Sequence, residues 1–380
     1  MKKDIYLDNN ASTCIDARVA DKLKKFLELR QANPSSVHRR GQAIRQVLIE
    51  SRDEIADFLG VKPKEIIFTS GGTEALNIAI RGFIGPDCKG HIISSDVEHP
   101  AVFNTLKALE SLGCDVTYLP AGMHGAVTAE QVKEAIRPDT RLLTLMAVNN
   151  ETGVKTDILE IASLTKSHSI PFVVDAVALM GKESFTIPDG VSAMCFSGHK
   201  FHAPQGTGFL FLRAKTKICC HTTGGGHENN KRSGTENMLG IVGLAEATRI
   251  LREELPEASQ RMQDLRDRLE KGIMESLEGV SINGTGPRTP NTSNLSFEGV
   301  EGESLLMNLD QRGILASHGS ACSSGALQAS RILMNMGIEK KLASSAIRFS
   351  LSRMTREEDI TYCTKTVVDI VKELRMMVAT

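Results

Sequence analysis

At 380 residues the chain is long enough to bury a full core, in two domains or in one large domain with a lobe. Lysine and arginine (45) balance aspartate and glutamate (46) to a net charge of −1, which gives no electrostatic reason to expect nucleic acid. No apolar run approaches membrane-spanning length, and Cys14, Cys88, Cys114, Cys195, Cys219, Cys220, Cys322 and Cys363 show no paired spacing; the sequence reads as a soluble, cytoplasmic chain with reduced thiols, no metal site and no disulfide framework.

In chain order, Ile5 to Leu7 read as a short strand ending in the polar turn Asp8 to Thr13, after which Val19, Leu23, Phe26 and Leu27 keep helical spacing. A loop from Asn33 to His38 precedes a long amphipathic helix marked by Ile44, Val47, Leu48, Ile55, Phe58 and Leu59 and stopped at Gly60. A regular alternation then begins. Strand-like runs at Glu65 to Thr69, His91 to Ser95, Cys114 to Leu119, Leu142 to Val148, Pro171 to Val174, Ala193 to Ser197 and Gly208 to Leu212 are mostly separated by helical patterns. Thr128 with Gln131 reads as a capping box, and Asp157 with Glu160 as a near equivalent. The alternation predicts an α/β fold with a mostly parallel seven-stranded sheet covered by helices on both faces. Past Gly240 the pattern changes: Ala258, Met262, Leu265, Leu269 and Ile273 mark a long helix, followed by turn-rich Asn283 to Asn291, a strand at Ser293 to Phe297 and a helix at Glu303 to Gln311. This predicts a smaller α+β domain joined by the N-terminal residues, with 13–252 as the large domain and 1–12 plus 253–380 as the small one.

The candidate chemistry collects at the strand ends. Lys200 follows the apolar run Ala193 to Phe196, and Asp175 closes the preceding run of Val173 and Val174. A lysine and an aspartate on neighbouring strand ends can bracket a pyridine ring, the lysine bonded covalently and the aspartate on the ring nitrogen, which makes pyridoxal 5'-phosphate the candidate cofactor. From these two residues alone the simpler reading is a surface lysine and a strand-capping aspartate. Gly71, Gly72 and Thr73 open a helix after a strand, a place where backbone amides can cradle a phosphate, although a glycine turn serves ordinary helix starts equally well. His99 sits at the next strand-to-helix junction, where an imidazole can cover the ring and handle protons. Asn150 closes another strand; its amide can donate to a phenolate or a carboxylate, and asparagine also simply favours turns. The glycine-rich loop from Gly224 to Asn237 can deliver Thr235 to a phosphate, in its own or a neighbouring subunit. Cys322 lies in a run of small, polar residues (Ala316 to Gly325) that will not pack a core, so its thiol reads as a nucleophile that travels to its target. Arg348, inside the apolar run Ile347 to Leu351, needs an anionic partner, and an amino-acid carboxylate matches its fork.

Together these stretches resemble the cysteine desulfurases of the NifS/IscS type, within the fold-type I (aspartate aminotransferase-like) class of pyridoxal phosphate enzymes. The resemblance runs from Tyr6 to Arg353. It implies that Lys200 carries the cofactor, Asp175 pairs with the ring nitrogen, and His99 stacks on the ring. It further places Gly72, Thr73, Ser197, His199 and Thr235 at the phosphate, Thr235 coming from the partner subunit of a homodimer. Asn150 and Arg348 fall to the substrate carboxylate and Cys322 to persulfide formation. The implied activity is removal of sulfur from L-cysteine, giving alanine and a persulfide for an acceptor protein in iron–sulfur cluster assembly or tRNA thiolation. Selenocysteine lyase activity, or a pyridoxal phosphate-binding scaffold with little turnover, are the alternatives. Ala178 stands where the family usually has glutamine, Asn229 and Asn230 where it has Arg-Gly, and Gln328, Ala329, Ser330 and Arg331 where it has Glu-Pro-Ser-His.

Overall fold

The computed structural model describes residues 4–29, 32–319 and 329–379. The chain enters through β1 (Ile5–Tyr6) and, after two helices, builds the strands β2 (Ile66–Thr69), β3 (His91–Ser95), β4 (Asp115–Leu119), β5 (Thr140–Met146), β6 (Phe172–Asp175), β7 (Ala193–Ser197) and β8 (Gly208–Leu212). These form one seven-stranded sheet in the order β2-β8-β7-β6-β5-β3-β4. Every neighbouring pair is parallel except the two made by β8, which runs antiparallel to β2 and β7. The predicted fold is therefore the observed one.

Strand periodicity explains the three layers. Phe172, Val174, Met194 and Phe196 point into one apolar core, while Val173, Ala193 and Cys195 point into another on the opposite face. Helices Gly72–Ile84 and Pro100–Glu110 cover the second face through Ala75, Leu76, Val102 and Leu106. Helices Arg39–Leu59 and Ile158–Ser167 cover the first through Ile44, Leu48 and Ile161. A strand buried on both faces loses the polar alternation of a half-exposed one, which is why β6 and β7 read as unbroken apolar runs.

The rest of the chain packs around a second core. The strands β9 (Val280–Ile282), β10 (Thr292–Phe297) and β12 (Ile347–Ser350) form an antiparallel sheet with β10 in the centre, and β11 (Ile314–Leu315) pairs in parallel with β1. Helix Met238–Ser276 serves both cores: its residues up to Leu255 join the large-sheet core and those from Met262 join Leu7, Phe297 and Phe349. Its length exceeds the sequence expectation because Pro256 lies inside it, a residue that normally ends a helix.

Candidate active site

The carboxyl ends of every sheet strand but the antiparallel β8 open on one edge, where ligands bind in open α/β sheets. At β7 the apolar run stops at Ser197 and a single turn of 3-10 helix, Gly198–Lys200, carries Lys200 over the edge. Beside it β6 ends in Asp175, which is in register with Cys195 of β7 and Met146 of β5. His99 is the N-cap of helix Pro100–Glu110, and Gly71 is the N-cap of helix Gly72–Ile84. A cavity of about 220 Å³ joins them, and its walls include Gly72, Thr73, His99, Asn150, Asp175, Ser197, His199, Lys200 and Arg348. Thr235 is exposed and outside this cavity. Cys322 lies outside the described residues.

Burial sets the protonation states. His99 accepts a hydrogen bond at Nδ1 from the Ala101 amide (3.1 Å), which puts the proton of a neutral ring on Nε2. Desolvation holds its pKa below the ordinary histidine value, partly offset by the Asp175 carboxylate. Burial raises the pKa of Asp175, against the pull of His99, the Val177 amide on Oδ1 (3.0 Å) and Lys200. His199 is pushed down to about 4 by burial and by Lys200 and Lys182, so it is a neutral donor or acceptor at pH 7. The Lys200 ammonium donates to the carbonyls of Asn10 (2.6 Å) and Ala11 (3.0 Å), which belong to the polar turn after β1.

The site fits a phosphorylated pyridine. Gly71 has φ +152°, and a Cβ on Gly72 would lie 2.5 Å from Val177 Cγ2, so the turn needs both glycines to bring its backbone against the strand ends. No side chain caps the helix that follows, which leaves its first amides facing the cavity rim beside Ser197 and His199. Asn150 Oδ1 and Arg348 Nε are buried in the cavity wall without a hydrogen-bond partner. Buried polar atoms are rarely left so; a bound carboxylate offers the acceptor that Arg348 Nε lacks, and a ligand N–H or O–H the donor that Asn150 Oδ1 lacks.

Arg348 differs from the sequence expectation in one respect. Its anionic partner is Asp8, whose Oδ1 accepts from Nη2 at 2.7 Å, and Nη1 donates to the Asn150 carbonyl at 2.9 Å. Nε is left without a partner, and Nη1 and Nη2 each keep a second N–H, so donors remain for a ligand. Three features escaped the sequence reading: the Asn10 and Ala11 carbonyls beneath Lys200, the wholly buried Glu98, and the buried Lys182. Glu98 accepts from Ser95 Oγ (2.6 Å) and the Met146 amide (3.1 Å), and burial lifts its carboxyl to about 8. Its position next to His99 on the strand-end turn was the available signal.

Comparison with known proteins decides the family. The family model Aminotransferase class-V matches residues 5–363. The chain is 41% identical to a protein of Dictyoglomus turgidum named cysteine desulfurase IscS, over 99% of this chain and 96% of that one. Its counterpart from Methanosarcina thermophila is 38% identical, over 99% and 94%. This chain belongs to the cysteine desulfurases of the class-V aminotransferase family. A solved NifS-like protein superposes with a TM-score of 0.90 at 34% identity, covering 97% of this chain and all of the other. A structure titled SspA in complex with cysteine gives 0.81 at 34%, covering 92% and 99%. Like other cysteine desulfurases, the enzyme depends on pyridoxal 5'-phosphate.

Proposed function

We propose that the enzyme removes sulfur from L-cysteine in the cavity at the sheet edge, with Lys200, Asp175, His99, Asn150, Arg348 and Cys322 in the roles that follow. The observation that carries this assignment is the meeting of Lys200, Asp175 and His99 in one cavity whose wall holds unpartnered Asn150 Oδ1 and Arg348 Nε. When bound, pyridoxal phosphate supplies an electron sink for the charge that develops at the substrate α-carbon. Asp175 holds the ring nitrogen, and the amides of the Gly72 turn with Thr73, Ser197 and His199 hold the phosphate. Arg348 Nε and the Asn150 side chain orient the substrate carboxylate. Lys200 would hold the cofactor and, once free, its amine would take the α-proton, while neutral His99 would lie against the cofactor and exchange protons at Nε2. The Cys322 thiolate attacks the substrate sulfur; an S–S bond forms as the substrate Cβ–S bond breaks, and protonation of that carbon and return of the α-proton from Lys200 complete alanine.

The exposed position of Thr235 supports its service to the phosphate site of a second copy in a homodimer. The division of helix Met238–Ser276 between two cores supports a large domain of 13–252 and a small one of 1–12 with 253–380. Among the described residues no helix is long and apolar enough to cross a membrane, in keeping with a cytoplasmic enzyme. The persulfide passes to an acceptor protein of iron–sulfur cluster assembly or tRNA thiolation. Incubation with L-cysteine, reading alanine and protein-bound persulfide together, tests the reading. The parent should yield both, and Cys322→Ser should keep the cofactor's visible band but lose the persulfide. Persulfide formation at the parental rate in that variant would remove Cys322 from the mechanism.

A further inference from the structure

The turn that presents Lys200 is held by its carbonyls. The Gly198 carbonyl accepts from the amides of Phe201 (3.0 Å) and Ala203 (3.1 Å), and that of His199 accepts from the amide (2.7 Å) and hydroxyl (2.9 Å) of Thr13. The Lys200 carbonyl is held by a side chain: Lys182 Nζ donates to it at 2.9 Å. Lys182 is 2% exposed. The charged and titratable groups that bear on it are Lys200, Arg353, His199 and His202, cations or neutral rings and no carboxylate. Burial and those cations press its pKa down to about 7. Gly181 brings the segment into place: it has φ +81°, and a Cβ there would lie 2.7 Å from Phe201 Cβ. An amine buried among cations is costly, and a methionine would fill the same space without that cost.

We propose that Lys182 is a positioning residue for Lys200: from beneath the turn it fixes the Lys200 carbonyl, and with it the direction in which the Lys200 side chain enters the cavity. This rests on Lys200 being the cofactor lysine. Lys182 itself is outside the cavity wall, so it acts through the turn and not on the substrate. Positioning of this kind governs the covalent step between Lys200 and the cofactor. It leaves the cradle formed by Gly72, Thr73 and Ser197 intact.

Stopped-flow absorbance of apoenzyme mixed with pyridoxal phosphate separates the two, because the dependence of rate on cofactor concentration gives a saturation constant and a limiting rate of covalent attachment. Lys182→Met should keep the saturation constant within about twofold and lower the limiting rate about tenfold, the worth of one hydrogen bond from a charged donor. An unchanged limiting rate, or a loss confined to the saturation constant, would overturn the proposal. If Lys182→Met does not fold, Lys182→Gln, whose amide is too short to reach the carbonyl, is read in the same way. Failure of both to fold would make Lys182 a folding residue and overturn the positioning role. Borohydride reduction and peptide mapping of the parent keep the premise separate: a label away from Lys200 would sink the assignment of the cofactor lysine, whatever the variants do.

Discussion

Asp175 and His99 on the sheet side of the cavity, and Arg348 and Arg353 on the side of β12, are all largely buried, yet they are held in opposite ways. On the sheet side burial works against charge: it raises Asp175, lowers His99 and lifts Glu98 to about 8 with Oε2 unpartnered. Across the cavity charge meets charge. Arg348 pairs with Asp8, and Arg353 pairs with Asp16 and with Glu254 at 2.7 Å. In Asp16 burial alone would raise the pKa, and hydrogen bonds from Arg18 and Arg353 overcome it and hold the carboxyl well below the usual range. One side is a set of poised groups that a charged ligand relieves; the other is a wall tied to the N-terminal segment by ion pairs. Both arginines leave Nε without a partner, but only Arg348 is part of the cavity wall.

The comparison breaks most visibly at Lys200. Lys200→Ala should cost alanine release about a thousandfold or more, the effect of removing the general acid–base proposed above, while thermal unfolding stays near that of the parent. An assay of alanine alongside a melting curve checks both halves.

The paired side should answer in stability. Arg353→Ala leaves Asp16 and Glu254 with Arg18 as their remaining partner and should cost about 1.5–3 kcal/mol in denaturant unfolding, the worth of a hydrogen bond to a charged group. Because the folded pKa of Asp16 is depressed, its stabilisation is present above the unfolded value of 3.8 and lost as the pH falls below it. The acid-induced loss should therefore be shallower in Arg353→Ala than in the parent. Arg348→Ala should instead raise the KM for cysteine by about 10 to 100-fold, and an unchanged KM would take Arg348 off the substrate.

Glu98 gives the opposite pH sign. Its folded pKa of about 8 lies above the unfolded value of 4.5, so the folded state holds the extra proton and loses stability as the pH rises from about 4.5 to about 8. Glu98→Gln in the apoprotein should flatten that decline, and a variant curve parallel to the parent's would show that the carboxyl ionises freely.

The smallest effect belongs to Ala178, which lines the cavity where the family usually has glutamine. A glutamine donating to the cofactor's phenolate oxygen weakens that oxygen's hold on the adjacent proton. Ala178→Gln should therefore lower the pH midpoint of the visible band by up to about one unit. A midpoint that stays put or rises would mean that position 178 does not face that oxygen.

The strand ends were legible because their chemistry is local. Asp175 and Lys200 each follow an apolar run on a strand buried on both faces, and Gly72 and His99 each open a helix directly after a strand. The pairing of Arg348 with Asp8 was not legible, since its partners lie 340 residues apart and meet only because β1 and β12 belong to one lobe. Lys182 stood as one polar residue after a glycine, and nothing in its neighbours shows that Gly181 presses it beneath Phe201. Helix Met238–Ser276 was half seen, because Pro256 reads as a stop and the apolar face resumes beyond it.

The central claim is that the cavity at the sheet edge holds the cofactor through Lys200, with Lys182 beneath it. Reduction of the pyridoxal phosphate-loaded protein with borohydride, followed by peptide mapping, tests this most directly. The account predicts a pyridoxyl label on Lys200 and none on Lys182; a label on Lys182, or on any other lysine in place of Lys200, would contradict it.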